Sequence, residues 1–166
     1  MDGINHFAVF MRCGPSWIDA QFYENSCFLY IAPDTTIVSS KFHLQGSGKS
    51  IFVGRDCLFS WGIDIRTSDG HALIDLDSHS VLNPADSVTI LSHVWIGFGV
   101  SIRKGVTVGP GSIIGSKSIV PKNIPRLVAA AGMPAKIIRE NCTWTRDANP
   151  NSQAISQIAL SSKDWN

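Results

Sequence analysis

A chain of 166 residues, 44% hydrophobic and 16% charged, is long enough for one domain with its own core. Its formal net charge of +1 excludes the strongly basic field of a nucleic-acid binder. No apolar run reaches the roughly 18 residues of a membrane helix, and residues 1–11 lack the charged and apolar blocks of a signal peptide.

In chain order, residues 1–30 show no repeat and are expected to form an N-terminal cap. A period of six then begins. Ile31 and Ile37 are six apart, a Gly-rich interruption follows at 45–48, and Val53, Phe59 and Ile65 resume the spacing. A long excursion, residues 66–89, precedes Ile90, after which aliphatic residues recur at Ile96, Ile102, Val108, Ile114 and Val120. Gly97, Gly109, Gly115 and Pro121 follow four of these positions, and Val94, Val100, Val106, Ser112 and Ser118 stand two places before them. Neither a helical period nor simple strand alternation produces this spacing. A short strand and a turn every six residues does, and a fixed short period marks a solenoid whose units bury their apolar residues against one another. The solenoid is expected over residues 31–140, about twelve hexads. The tail, residues 141–166, is expected to cap the other end, with a weak helix or disordered end over 149–166. Cys13, Cys27, Cys57 and Cys142 are scattered without a CxxC, so neither a disulfide framework nor a structural zinc site is expected, and the cytoplasm is the expected compartment.

The excursion reads "RTSDGHALIDLDSHSVLNPADS". A solenoid does not need such a loop for stability, and polar loops on rigid scaffolds tend to carry function. His71, in Asp69-Gly70-His71, is the candidate general base, because imidazole titrates near neutrality. Asp69, Asp75 and Asp77 are each able to hold the other ring nitrogen, and His79 is the second candidate base. His6, His43 and His93 are taken as structural. The spacing of His71, His79 and His93 does not suit a three-histidine zinc site, and "SGK" at 47–49 lacks the upstream glycine of a phosphate-binding loop.

The run "SHVWIGFGVSIRKGVTVGPGSIIGSKSIVPKNIPRLVAAAGMPAKIIREN" resembles the hexapeptide-repeat acyltransferases, among them galactoside, maltose, serine and surface-polysaccharide O-acetyltransferases. The resemblance is specific over about residues 51–141. It implies an all-β fold, a left-handed parallel β-helix with a projecting loop, and acetyl transfer from acetyl-CoA to a hydroxyl without a metal. It implies that Trp95 lines the pocket for acceptor and thioester, and that the backbone N–H of Phe98, after Gly97, stabilises the oxyanion. Gly115 and Ser116 would let the pantetheine arm approach the backbone, and Lys117, Lys122, Lys136 and Arg139 would serve the phosphates of acetyl-CoA. Relatives usually carry Gly at the place of Lys117 and Thr at that of Pro121. Arg66, Asn83 and Trp95 are the candidate acceptor contacts. A homotrimer with sites between subunits is implied. The excursion and "NCTWTR" look most like the polysaccharide-modifying branch, so a carbohydrate hydroxyl on a surface polysaccharide or its precursor is the expected acceptor. An amino-sugar N-acetyltransferase, a xenobiotic acetyltransferase and a non-catalytic scaffold are the alternatives, and "DGH", "WIG" and "AAGMPAK" favour an enzyme over a scaffold.

Overall fold

The computed structural model describes residues 6–10 and 17–165. A first, partial turn contains β1 (Phe7–Phe10) and β2 (Trp17–Phe22). Four three-strand coils follow: β3 (Phe28–Ile31), β4 (Thr36–Ile37) and β5 (Ser39–Leu44); β6 (Ser50–Val53), β7 (Leu58–Phe59) and β8 (Ile63–Arg66); β9 (Val88–Ile90), β10 (Trp95–Ile96) and β11 (Ser101–Ile102); β12 (Thr107–Val108), β13 (Ile113–Ile114) and β14 (Ile119–Val120). The chain closes with a hairpin of β15 (Val128–Gly132) and β16 (Ala135–Glu140), helix α1 (Ser152–Ser161) and a 3-10 turn, Ser162–Asp164. Strands one coil apart pair in parallel and build three faces. Face 1 is β1-β3-β6-β9-β12, face 2 is β4-β7-β10-β13-β15-β16, and face 3 is β2-β5-β8-β11-β14. The molecule is thus a triangular β-solenoid of about five turns, with corners 1–2, 2–3 and 3–1 between successive faces.

The six-residue period arises because two or three extended residues form each face and the remainder turn the corner. Ile90, Ile96, Ile102, Val108, Ile114 and Val120 are all fully buried, as are Val53, Phe59 and Ile65 one coil earlier. Register keeps like over like: Ile96 pairs with Phe59 and Ile114, Ile102 with Ile65 and Val120. Each such side chain contributes about 1.5–3 kcal/mol through burial. The positions two places earlier are buried as well, including Ser112 and Ser118. Those two hydroxyls lie where the hexads give way to the hairpin. Ser112 donates to the Pro125 carbonyl (2.6 Å), and Ser118 donates to that of Gly115 (2.6 Å) while accepting from the Gly132 N–H (3.0 Å).

Three details differ from the sequence reading. Within residues 1–30, expected as a separate cap, β1 and β2 lie in the same sheets as the coils, with Phe7 opposite Phe28 and Trp17 opposite Ser39, so the described part of this segment extends faces 1 and 3. The hexad before the Gly-rich interruption is one residue short, and Phe42, five places after Ile37, pairs with Ile65. The tail does not sit over the far end; β16 covers the exposed edge of face 2 by pairing antiparallel with β15, and residues beyond it run back along the side. Cys27, Cys57 and Cys142 are free thiols, and burial pushes that of Cys57 up to about 12; Cys13 lies outside the described residues. No helix among the described residues is long and apolar enough to cross a membrane.

Stacked burial predicts unequal costs of truncation. Ile102→Ala should lower the unfolding free energy in urea by about 2–5 kcal/mol through lost transfer and a cavity. Ile138→Ala on β16, where the side chain is 68% exposed, should stay within about 0.5 kcal/mol of the parent.

Candidate functional site

The long excursion leaves face 3 at Arg66 and re-enters face 1 at Val88, so it projects from corner 3–1. A bond from the Asp86 N–H to the Thr67 carbonyl (2.8 Å) closes its neck. Beyond the neck the chain folds back on itself through an antiparallel bridge of Ile74 with Val81 and a bond from the Leu82 N–H to the Leu73 carbonyl (2.8 Å). Asp75 Oδ1 accepts the N–H groups of Asp77 (2.9 Å) and Ser78 (2.7 Å), which sets the turn at the tip and holds its carboxyl below the usual range. His79 sits in that turn at φ 55°.

His71 is exposed, and its ring makes no hydrogen bond, ion pair or ring contact among the described residues. Its carbonyl accepts from Asn83 Nδ2 (3.0 Å). Asp69 does not hold the His71 ring. Its Oδ2 accepts from Lys104 Nζ and from Asn83 Nδ2 (2.9 Å), and these bonds, that of Lys104 foremost, lower its pKa. Asn83 is also reassigned. Both its amide protons are used on Asp69 and His71, and its Oδ1 accepts the Leu73 N–H (2.6 Å), so it has little capacity left for an acceptor.

At the foot of the excursion, Tyr23, His43, Gln45, Arg66, Ser68 and Gly70 line a cavity of about 330 Å³. They come from the face 3 ends of three successive coils. Arg66 reaches Asp64 through Nε (2.9 Å) and Nη2 (2.8 Å), and His43 Nε2 lies 3.2 Å from the same carboxylate. Burial would raise the Asp64 pKa, but Arg66, His43 and Ser101 together outweigh it and the net shift is downward. Among the acceptor candidates, Arg66 alone is in this cavity. His43, expected to be structural, also lines it; only the pairing of β5 with β8 brings it there.

The second group lies at corner 2–3. Trp95 stands on the outer side of β10, 41% exposed, in register with Leu58 and Ile113. Gly97 and Gly115 occupy the turns after β10 and β13. A Cβ on Gly97 would lie 2.7 Å from the Ser116 nitrogen, and one on Gly115 would lie 2.8 Å from the Ala131 Cβ, so these coils approach more closely than a side chain allows. The Gly97 and Gly99 N–H groups bond the Ile114 and Trp61 carbonyls, while the Phe98 N–H between them has no acceptor among the described residues. The Phe98 ring rests on Trp61, centroids 5.1 Å apart, with Lys117 Nζ 4.1 Å from its centre. Lys117 adopts φ 62°, a backbone conformation that favours glycine. Lys136 pairs with Ala131, and Arg139 with Ala129, so both extend face 2 beyond this column. Lys122 does not join them; it follows β14 and lies at corner 3–1. Among the described residues, no group of three or more His, Cys, Asp or Glu side chains could hold a metal ion.

Corner 1–2 carries the tail. His93, placed in a turn at φ 56°, stacks between Trp144 (4.5 Å) and Trp165 (4.1 Å). Its Nδ1 lies 2.7 Å from Asp56 Oδ2 and its Nε2 3.0 Å from the Trp144 carbonyl. Trp144 Nε1 donates to the His93 carbonyl (2.9 Å). Arg146 spans two earlier coils by donating to Asp56, Thr36 and the Asp34 and Cys57 carbonyls. The Trp144 ring also lies 6.1 Å from that of Trp95, which links the tail to the second group.

A three-faced hexapeptide solenoid with one projecting loop defines the class. Residues 87–122 match the family described as bacterial transferase hexapeptide (six repeats). The chain is 43% identical over 111 residues to a polysialic acid O-acetyltransferase of Escherichia coli O1:K1 / APEC, covering 67% of this chain and 36% of that protein. It is 36% identical over 124 residues to a polysialic acid O-acetyltransferase of Neisseria meningitidis, covering 74% of this chain and 57% of that protein. The crystal structure of the polySia specific acetyltransferase NeuO matches with a TM-score of 0.73 at 33% identity, covering 87% of this chain and 78% of that one. The chain belongs to the hexapeptide-repeat acyltransferase family. It spans about a third and somewhat over half, respectively, of the lengths of the two curated relatives.

The tail contacts predict an acid-sensitive strap. Burial would raise the Asp56 pKa, but bonds from His93 and Arg146 hold it below the ordinary value. The stabilisation is therefore complete above the unfolded carboxylate pKa near 3.9 and disappears as pH falls through the lower folded value. Asp56→Asn should speed tryptic cleavage after Arg146 several-fold at neutral pH. An acid-resistant protease should release the parent's tail only below about pH 4.

Proposed function

We propose that the chain is an acetyl-CoA-dependent O-acetyltransferase acting on a carbohydrate hydroxyl of a surface polysaccharide or its precursor. The observation that carries this reading is an exposed histidine, whose ring has no hydrogen-bond or ion-pair partner among the described residues, on a pinned loop of a hexapeptide-repeat acyltransferase. The relatives named polysialic acid O-acetyltransferases support a polymeric sugar acceptor. Use of acetyl-CoA favours the cytoplasm.

In this reading His71 takes the proton of the acceptor hydroxyl as its oxygen attacks the thioester carbonyl. The Phe98 N–H, with no acceptor of its own, receives the negative charge on that carbonyl oxygen. His71 then returns the proton to the departing thiol, so no covalent enzyme intermediate is needed. The close approach at Gly97, Ser116 and Gly115 suits the thin pantetheine arm, and Lys117 and Lys136 offer cations to the phosphates. Arg66, with guanidinium N–H groups left over from its bonds to Asp64, offers donors to the acceptor in the cavity beneath the loop, which His43 and Tyr23 also line.

His71 belongs to corner 3–1 and Phe98 to corner 2–3, so face 3 separates them within one chain. A second copy is needed to unite them, which supports a trimer with each site between neighbours. The arm of the excursion leaves Leu73, Ile74, Leu76, Val81 and Leu82 exposed, and a neighbouring subunit would cover this row.

Thiol release from acetyl-CoA should occur with sialic-acid polymers or other oligosaccharides and yield an O-acetyl ester by NMR. Transfer confined to amines or small xenobiotic alcohols would overturn the acceptor assignment. His71→Ala should lower kcat by roughly 10²–10⁴ with little change in the KM for acetyl-CoA, and an active His71→Ala protein beside a dead His79→Ala one would move the base to His79. Light scattering at micromolar concentration should give three times the monomer mass; an active monomer would refute the shared site.

A further inference from the structure

We infer that Lys104 is a positioning residue for the base: from a corner of the solenoid it locks the excursion through Asp69 and Asn83 and so sets where His71 stands. The inference rests on the reading of His71 as general base. Lys104 lies between β11 and β12, in the coil that follows the excursion, and its side chain is only 19% exposed. Its Nζ donates to Asp69 Oδ2 and to the Asn83 carbonyl (2.7 Å), which joins the outgoing and returning limbs of the loop. Asn83 carries the connection onward. It donates to Asp69 Oδ2 and to the His71 carbonyl, and accepts the Leu73 N–H. The polypeptide is thus held at 69, 71 and 73, on both sides of the imidazole and at its own peptide group.

Local structure alone would not hold it there. Gly70, at φ 87°, has nothing within 4 Å of where a Cβ would stand, so packing does not restrain the residue before His71. The remaining ties nearby are a Gly70 N–H bond to Ser68 Oγ (3.1 Å) and a 3.4 Å bond from Gln45 to the Gly70 carbonyl. An ammonium with two oxygen partners, partly screened from water, is the strongest tie between this part of the loop and the coil beyond it. Displacement of a catalytic group by about 1 Å can cost roughly 10²-fold in rate, so the lock acts on turnover without touching either substrate.

Lys104→Met preserves the buried stem and removes the charge. It should lower kcat about 10²-fold while leaving the KM for acetyl-CoA within twofold and the melting temperature within a few degrees. Asp69→Asn should behave alike, and the double variant should be no slower than the slower single one, because both break one lock. Lys104→Arg should recover part of kcat. In a His71→Ala background, Lys104→Met should have no further effect on the residual rate. If His71→Ala is impaired but Lys104→Met keeps kcat within threefold of the parent, the lock is overturned and the base assignment stands. A His71→Ala protein with full activity overturns the base assignment instead. A loss in Lys104→Met matched by a higher acetyl-CoA KM and a lower melting temperature also refutes the positioning role, since it marks general damage.

Discussion

The register between coils is the constraint from which the rest of the molecule follows. Ile96 lies on Phe59 and under Ile114, and Ile102 on Ile65 and under Val120, because parallel ladders set each residue beside its equivalent one coil away. A slip of one residue would turn each aliphatic side chain outward. Corners are thereby stacked as strictly as strands, so residues distant in sequence form straight columns. Gly97, Gly115 and Ala131 make one such column, and Asp34, Asp56 and His93 another.

Each corner carries a separate task. Corner 3–1 tolerates insertion, and both the Gly-rich interruption and the long excursion leave there, in consecutive coils. Corner 2–3 keeps its turns short and its backbones close, which suits a narrow ligand and would not admit a loop. Corner 1–2 is covered by the tail, whose Trp144 and Arg146 reach coils formed by residues far earlier in the chain. A rigid scaffold holds these columns at fixed separations.

The charged groups fall into two kinds. Lys104–Asp69 and Arg146–Asp56 tie chain segments far apart in sequence and are backed by further hydrogen bonds, so they constrain where a segment lies. Arg55–Asp34, with both side chains more than half exposed and a 3.4 Å contact, is a surface pair of the sort that contributes little.

The period of six, visible from Ile90 to Val120, was enough to define a solenoid, since no other regular structure buries an aliphatic residue at that interval. The excursion was legible because it broke that period, and the Asp69-Gly70-His71 segment lies within it. The close approach at Gly97 and Gly115 could also be anticipated, because glycine recurs at fixed places after the aliphatic residues. Pairing across coils was not legible. Only the fold decides that Asp69 bonds Lys104 and Asn83 instead of the His71 ring, that His43 comes beside Arg66, and that Lys122 stands apart from Lys117 and Lys136. The tail is equally opaque: nothing local in "NCTWTR" tells that Trp144 stacks on His93, 51 residues away, or that Trp165 closes the other side. A repeat encodes its own period in neighbouring residues, whereas the partner of a corner side chain depends on how many residues separate two coils, and the insertions at corner 3–1 change that number.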